Sequence, residues 1–387
     1  MRYYIIAGEA SGDLHASNLV DAIKKIEPNA EFRGLGGDKM KDAGVQLVLH
    51  YKQTAYMGYV AVLMNLRKIL GFMKLCKKDI QQYNPDAVIL VDYPGFNLKI
   101  AEFAHQLNYR VLYYISPKIW AWKTYRVKQI KKYVDLMLSI LPFEVDFYKK
   151  HNYNVEYTGN PVLDNIVKTL DRNQKRDSFI SKYSLSGKPI IALLPGSRKQ
   201  EIKSLLPTMI KLANSFPDYE TVVSAAPGIE ESFYEKFLKS TDIKIIFNDT
   251  YQLLLHSEAA AVSSGTATLE TALIGTPQVV CYKVEGGFFT FLLSKIVIKS
   301  KYISLVNLIL NKLCVTEMIQ QQFNLKSLTS EIQQLLYNPD KRTAMLNDYS
   351  KLMEIMGKPG ALENAAIKIV GYMKNINQTF SLSQNNN

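Results

Sequence analysis

Five apolar residues in a row, Ala87–Val91, stop at Asp92, and the turn formers Pro94 and Gly95 follow. A run this short, closed by a turn, predicts a parallel strand buried on both faces. Strands of that kind need helices packed on each side, so much of the chain must alternate strand and helix. A carboxylate at the carboxyl end of such a strand stands where open α/β sheets take their ligands.

The alternation is present. Strands are predicted over 3–7, 87–91, 110–115 and 134–140, with helices over 14–25, 59–82, 98–107, 125–133 and 143–151. After a polar bridge over 171–188 the rhythm restarts, with strands over 189–194, 220–225, 243–247, 259–263 and 278–282 and helices between them. Helical segments over 327–337, 341–356 and 361–376 close the chain, and 381–387 reads as a disordered polar tail. With 387 residues and 47% hydrophobic content, two domains are expected. The fold class is α/β, with two doubly wound Rossmann-like domains, residues 1–170 and 171–344, facing a cleft of the kind that favours ligands.

Composition narrows the function. The net charge of +12 suits polyanionic partners: nucleic acid, an anionic membrane or phosphorylated substrates. Basic clusters stand at Arg67 and Lys68, Lys77 and Lys78, 123–132 and 295–301, beside aromatic or apolar runs. The three cysteines, Cys76, Cys281 and Cys314, are odd in number and far apart, which argues against disulfides and zinc and fits a reducing cytoplasm. The five histidines lack metal-ligand spacing. The apolar start over 3–7 is too short for a signal peptide, and lysines interrupt the best transmembrane candidate, 288–310.

Several loops carry chemistry. Pro195, Gly196, Ser197 and Arg198 join a strand to a helix, where free N–H groups and the dipole favour an anion and Arg198 adds a fork for phosphate oxygens. Ser264, Gly265 and Thr266 repeat that logic, and Glu270 lies one turn further on, placed to accept ribose hydroxyl protons. An ordinary βα turn and a dipole-complementing Glu remain the plain alternatives. The first βα loop, with Glu9, Ser11, Gly12 and Asp13, offers a second anion or sugar site, or simply a helix cap. Residues 116–122 carry both tryptophans, Trp120 and Trp122, suited to core packing, sugar stacking or an acyl channel. After Met57 and Gly58, the apolar residues Val60, Val62, Leu63, Leu66, Ile69 and Leu70 mix with Arg67 and Lys68, as in an interfacial helix or a core helix with a basic face.

Taken in order, these strings resemble the lipid-A-disaccharide synthase family, bacterial glycosyltransferases of the GT-B fold. The matching stretches are 7–13, Met57 with Gly58, 92–97, 116–122, Leu141 to Glu144, 194–198, 264–270 and 304–308. The resemblance implies a UDP-diacylglucosamine donor and a diacylglucosamine 1-phosphate acceptor, joined β(1→6) with release of UDP. It implies a peripheral protein of the cytoplasmic membrane face, and closing helices (about 345–380) that return to the first domain. It maps the family's aspartate onto Asp92, its phosphate-loop arginine onto Arg198, and its nucleotide segments onto Ser264, Gly265, Thr266, Glu270 and Asn307. Two departures are Asn160, where the family often has His, and Val306, where it often has Pro.

Inversion at the anomeric carbon then asks for one in-line displacement, with Asp92 as general base and Asp13 and Glu9 as weaker candidates. No Asp-x-Asp occurs in the chain, so no metal and no cofactor are expected. Acyl-chain length and homodimerisation stay open. A UDP-N-acetylglucosamine epimerase or another GT-B enzyme is the enzymatic alternative. A basic nucleic-acid-binding protein is the other, although no zinc-finger, RNP or KH signature occurs.

Overall fold

A computed structural model describes residues 1–54, 66–122, 124–239, 241–283 and 301–384. The chain divides into two compact units, Met1–Pro161 with Gly360–Asn387, and Val162–Pro359.

Among the described residues, the N-terminal unit holds seven strands: β1 (Arg2–Ala7), β2 (Glu31–Gly36), β3 (Gln46–His50), β4 (Ala87–Val91), β5 (Arg110–Tyr114), β6 (Leu136–Ser139) and β7 (Glu156–Tyr157). Their order is β3-β2-β1-β4-β5-β6-β7, all pairs parallel. The two-residue period of a strand sends alternate side chains to opposite faces. Tyr3, Ile5, Ala7, Ala87, Ile89 and Val91 therefore join one core cluster, while Tyr4, Ile6, Val88 and Leu90 join the other. Two buried faces are why the run 87–91 has no polar break. The last helix, Ala361–Gln384, completes the first cluster with Ala365, Ala366, Ile369, Val370 and Met373, packed on the helix Ala10–Ile26.

The C-terminal unit holds β8 (Ile190–Leu194), β9 (Glu220–Ser224), β10 (Lys244–Ile246), β11 (Ser257–Ser263), β12 (Gln278–Tyr282) and β13 (Glu317–Ile319) in the order β10-β9-β8-β11-β12-β13, again parallel.

Several boundaries differ from the sequence expectation. The division falls at Pro161 rather than 170, because the helix Pro161–Thr169 buries Ile166 and ties Asn165 to Tyr251 of the C-terminal unit, Nδ2 to the hydroxyl at 2.8 Å. The return to the N-terminal unit starts at Gly360 rather than near 345, because the helix Pro339–Met356 is held by the C-terminal unit. There Asp348 takes Lys312 Nζ at 2.6 Å, and the Tyr349 hydroxyl meets Gln278 Nε2 at 3.3 Å. Residues 381–384 are helical, not tail: no Gly or Pro follows Gly371 to stop a helix anchored as far as Met373. Residues 385–387 lie outside the described residues. The helical stretch after β8 divides past Pro207 into Lys199–Met209 and a 3-10 turn, Ile210–Ser215, since proline lacks the N–H that continues the ladder.

Candidate active site

In each sheet the strand order reverses once at the centre, between β1 and β4 and between β8 and β11. Loops leaving the two flanking strands part there in opposite directions and open a crevice. In the N-terminal unit these loops begin at Gly8 and Asp92; in the C-terminal unit they begin at Pro195 and Ser264.

Asp92 and Tyr93 both adopt left-handed backbone, with φ of 45° and 47°, and Ile115 at the end of β5 has φ 64°. Each such residue costs on the order of 1–3 kcal/mol and persists only where its surroundings hold it. The surroundings are visible at Asp92. Its carbonyl oxygen accepts from the Tyr113 hydroxyl at 2.5 Å and from Asn97 Nδ2 at 2.8 Å, while its N–H donates to Tyr114 O at 3.1 Å. The Tyr93 ring lies over Gly8, where any Cβ would collide with it. Burial, then the Glu9 charge, pushes the Asp92 carboxyl up from 3.8 to about 6, against the pull of Lys118 and an N–H bond from Tyr93. Such a carboxylate is basic enough to take a hydroxyl proton yet ionised at neutral pH.

Asp13 does something else. It is 3% exposed, and its carboxylate accepts from Gly37 N at 2.7 Å, Met40 N at 3.1 Å and Lys39 N at 3.2 Å. It caps the neighbouring helix Asp38–Asp42, which removes it from the candidate bases. Gly12 is buried beneath it against Ala7, Ser11 is exposed, and Glu9 stands at the helix N-terminus.

In the C-terminal unit a cavity of about 310 Å³ opens at the switch point, lined by Arg198, Glu201, Ser263, Ser264, Tyr282 and Lys283 among others. Thr266 opens the helix Thr266–Ile274, so the N–H groups of Thr266 and Ala267 have no partner inside that helix, while Thr268 N donates to Gly265 O at 3.2 Å. The first loop differs from expectation. Glu201 Oε2 already accepts from Ser197 N at 2.9 Å and Arg198 N at 3.3 Å, and Oε1 accepts from Arg198 Nη1 at 2.9 Å. A carboxylate of the chain occupies the amides predicted for phosphate. Gly196, at φ 115°, permits it, since a Cβ there would sit 2.5 Å from Glu201 Oε2. The exposed remainder of the Arg198 guanidinium and Lys283 supply the positive charge.

Glu270 is half-buried and accepts from the Tyr251 hydroxyl at 2.8 Å, with burial holding its carboxyl above the ordinary value. Its other oxygen has the freedom to accept from a ligand. Asn307 has none. It is fully buried, its Nδ2 donates to Val315 O at 2.8 Å and Glu317 Oε1 at 2.9 Å, and its Oδ1 accepts from Cys314 N and Val315 N. With every site used, Asn307 fixes the 303–315 segment rather than meeting a nucleotide.

Met57, Gly58, Val60, Val62 and Leu63 lie outside the described residues, as does 284–300. The helix Leu66–Tyr83 turns Met73, Cys76 and Ile80 into the core, a stripe at helical spacing. Its other side exposes Arg67 and Lys68 with Leu70 (49%) and Leu75 (42%) between lysines, and Ile69 is half-buried. Among the described residues no helix is long and apolar enough to cross a membrane, and no three His, Cys, Asp or Glu converge as a metal site.

Sequence reasoning missed Glu201, Tyr251, Glu317 and the Glu144–Trp120 pair. The spacing of Glu201 three residues after the loop arginine was a readable signal, since an acid at that point of a helix commonly turns back to the amides.

A family model described as lipid-A-disaccharide synthetase matches residues 3–368. The lipid-A-disaccharide synthase of Syntrophus aciditrophicus is 39% identical over 377 residues, covering 96% of this chain and 97% of that one. Among solved structures, a putative UDP-N-acetylglucosamine 2-epimerase from Listeria monocytogenes superposes with TM-score 0.62 at 12% identity, covering 95% of this chain and 94% of that one. A glycosyltransferase of kitacinnamycin superposes with TM-score 0.63 at 11% identity, covering 96% and 98%. The solved structures establish the two-unit GT-B architecture alone. The match along nearly the whole length, taken with the aspartate and anion loops at the two switch points, makes the chain a member of the lipid-A-disaccharide synthetase family.

Proposed function

We propose that the protein is an inverting glycosyltransferase that moves diacylglucosamine from UDP to the 6-hydroxyl of diacylglucosamine 1-phosphate. The products are the β(1→6) disaccharide 1-phosphate and UDP. The observation that carries the chemistry is Asp92: a strained, half-buried carboxylate raised to about 6 at the switch point of its sheet, in a family of disaccharide synthases.

Asp92 takes the proton of the acceptor hydroxyl as its oxygen forms the bond to the donor anomeric carbon. The bond from that carbon to the diphosphate breaks in line, and the proton later passes to solvent. Charge gathers on the leaving diphosphate. Arg198, Lys283 and the helix start at Gly265 and Thr266 meet it, and Glu270 takes a ribose hydroxyl. Glu201 yields its hold on the loop amides as phosphate arrives, since a doubly charged diphosphate competes with one carboxylate for the same donors. These groups neutralise the diphosphate without a bound cation. Excess chelator therefore leaves turnover unchanged; loss of turnover restored by magnesium or manganese sinks that part.

Acylated substrates live in a bilayer, and the face of Leu66–Tyr83 that shows Leu70 and Leu75 among lysines suits an anionic lipid surface. The protein is thus peripheral to the membrane, on the cytoplasmic face where UDP-sugars are found.

The test is incubation with UDP-diacylglucosamine and diacylglucosamine 1-phosphate, with products read by mass spectrometry. Disaccharide phosphate is expected. Transfer to an unacylated sugar with none to the lipid, or C2 epimerisation of a UDP-sugar, assigns the chain to a different chemistry.

A further inference from the structure

Glu144 lies in the first turn of the helix Pro142–Lys149 and is 1% exposed. Trp120 Nε1 donates to its Oε1 at 3.0 Å, and its Oε2 is hydrogen-bonded to the Ser139 hydroxyl. The same hydroxyl accepts from Leu141 N at 3.0 Å and faces Leu141 O at 2.9 Å. A serine hydroxyl carries one hydrogen, whereas a carbonyl oxygen and an ionised carboxylate only accept. With Glu144 ionised, one of the two oxygen pairs around Ser139 would lack a hydrogen between its members. Every contact closes when Ser139 donates to Leu141 O, accepts from Leu141 N, and accepts from a Glu144 hydroxyl.

We infer that Glu144 stands as a neutral carboxylic acid and acts as a positioning residue, its proton on Ser139 and its carbonyl oxygen fixing Trp120 and with it the loop that carries Lys118 to Asp92. The loop needs fixing. It leaves β5 through Ile115 in left-handed backbone, an outlier for a β-branched residue. Ser116 is tied to the Tyr148 hydroxyl at 3.0 Å, and the Trp120 ring packs edge-on against Phe143, 5.0 Å between centroids. Among the described residues, the charged and titratable groups facing Glu144 are Lys118 on the loop, Asp92 at the end of β4 and Tyr148 on its own helix. Burial pushes the Glu144 carboxyl up to about 8, against the pull of the Ser139 and Trp120 contacts and of Lys118, with Asp92 adding to the rise. Loss of its proton breaks the Ser139 contact and sets a second negative charge near Asp92, competing for Lys118. Two carboxyls with environments that separate them then bound the working range, Asp92 from below and Glu144 from above.

The activity half of this inference rests on Asp92 as the base; the positioning half does not, so one experiment reads both. In the full chain, Trp122→Phe leaves Trp120 as the one tryptophan. Its emission is followed from pH 5 to 10. A transition centred near 8 is expected, and it should vanish when Glu144→Gln is added, because the amide donates to Ser139 and accepts from Trp120 as the neutral acid does. Flat emission in the presence of Glu144, or an unchanged transition in Glu144→Gln, overturns the inference. Ser139→Ala supplies a second reading: removing the acceptor of the Glu144 proton lowers the midpoint, and a rise contradicts the assigned donor. In wild type, kcat should fall about tenfold per pH unit above the alkaline midpoint. Glu144→Gln should lose that limb and keep the acid one near 6; retention of the alkaline limb refutes the positioning role. Should no disaccharide form at all, the emission series still decides the state of Glu144.

Discussion

Asp92→Asn separates stability from catalysis in opposite directions. The Asp92 carboxyl titrates at about 6 in the folded protein against 3.8 when solvated. The folded state therefore holds a proton that the unfolded chain has released, and stability falls as pH rises from 3.8 to about 6, the loss being complete above. That gap corresponds to ~3 kcal/mol as an upper bound, since the residue keeps some contact with solvent. Asparagine carries no charge to desolvate and tolerates left-handed backbone better than most residues. The variant should thus be more stable than wild type at pH 7 by about 2–3 kcal/mol, the advantage shrinking to the backbone contribution below pH 3.8. Turnover should fall by about 10²–10⁴. Both tryptophans lie in the N-terminal unit, so urea denaturation followed by their fluorescence reports the right part of the molecule. A variant no more stable than wild type at pH 7, or a difference that does not change between pH 7 and 3, refutes the assignment of a strained, charged Asp92. Near wild-type turnover at saturation removes it from the base role.

Three further outcomes follow from named contacts. Arg198→Ala should weaken UDP binding by about 10–100-fold, measured by calorimetry, since a charge-assisted phosphate contact contributes about 1.5–3 kcal/mol; unchanged affinity places the diphosphate elsewhere. Asp13→Ala leaves the N–H groups of Gly37, Lys39 and Met40, at the start of the helix Asp38–Asp42, without their acceptor and should cost about 2–4 kcal/mol in denaturant titration, whereas a neutral effect contradicts the capping role. Ile369→Ala, in the core between the last helix and Ala10–Ile26, should destabilise the N-terminal unit by about 2–5 kcal/mol, read by the same fluorescence titration; no effect means the last helix does not complete that unit.

Some of this architecture could be read directly from the residues. Ala87–Val91 and Gln278–Tyr282 form with the expected bounds, because apolar runs beside turn formers leave one way to fold. β2 and β3 were not expected, since Arg33, Gly34 and Gly36 interrupt one and Gln46 and His50 flank the other. β7 and β13 hold two and three residues, too few for any periodicity to register. The helix Arg176–Tyr183 was hidden in the polar bridge because it buries a single residue, Phe179. At the site, the placement of Asp92 after β4 followed from the strand, while its raised pKa comes from burial and the Glu9 charge, against the pull of Lys118, in surroundings that only the fold assembles. Asp13 and Asn307 were legible as polar residues beside anion loops; that the protein itself uses their hydrogen bonds depends on partners up to 27 residues away. Glu144 looks in sequence like any acid in a first helical turn, where it would complement the dipole. Its burial against Trp120 depends on a loop 24 residues earlier.

The most direct measurement is the anomeric configuration of the product by NMR, with UDP counted alongside. One displacement assisted by Asp92 predicts a β(1→6) linkage and one UDP released per disaccharide. An α-linkage, or UDP released without disaccharide, contradicts it.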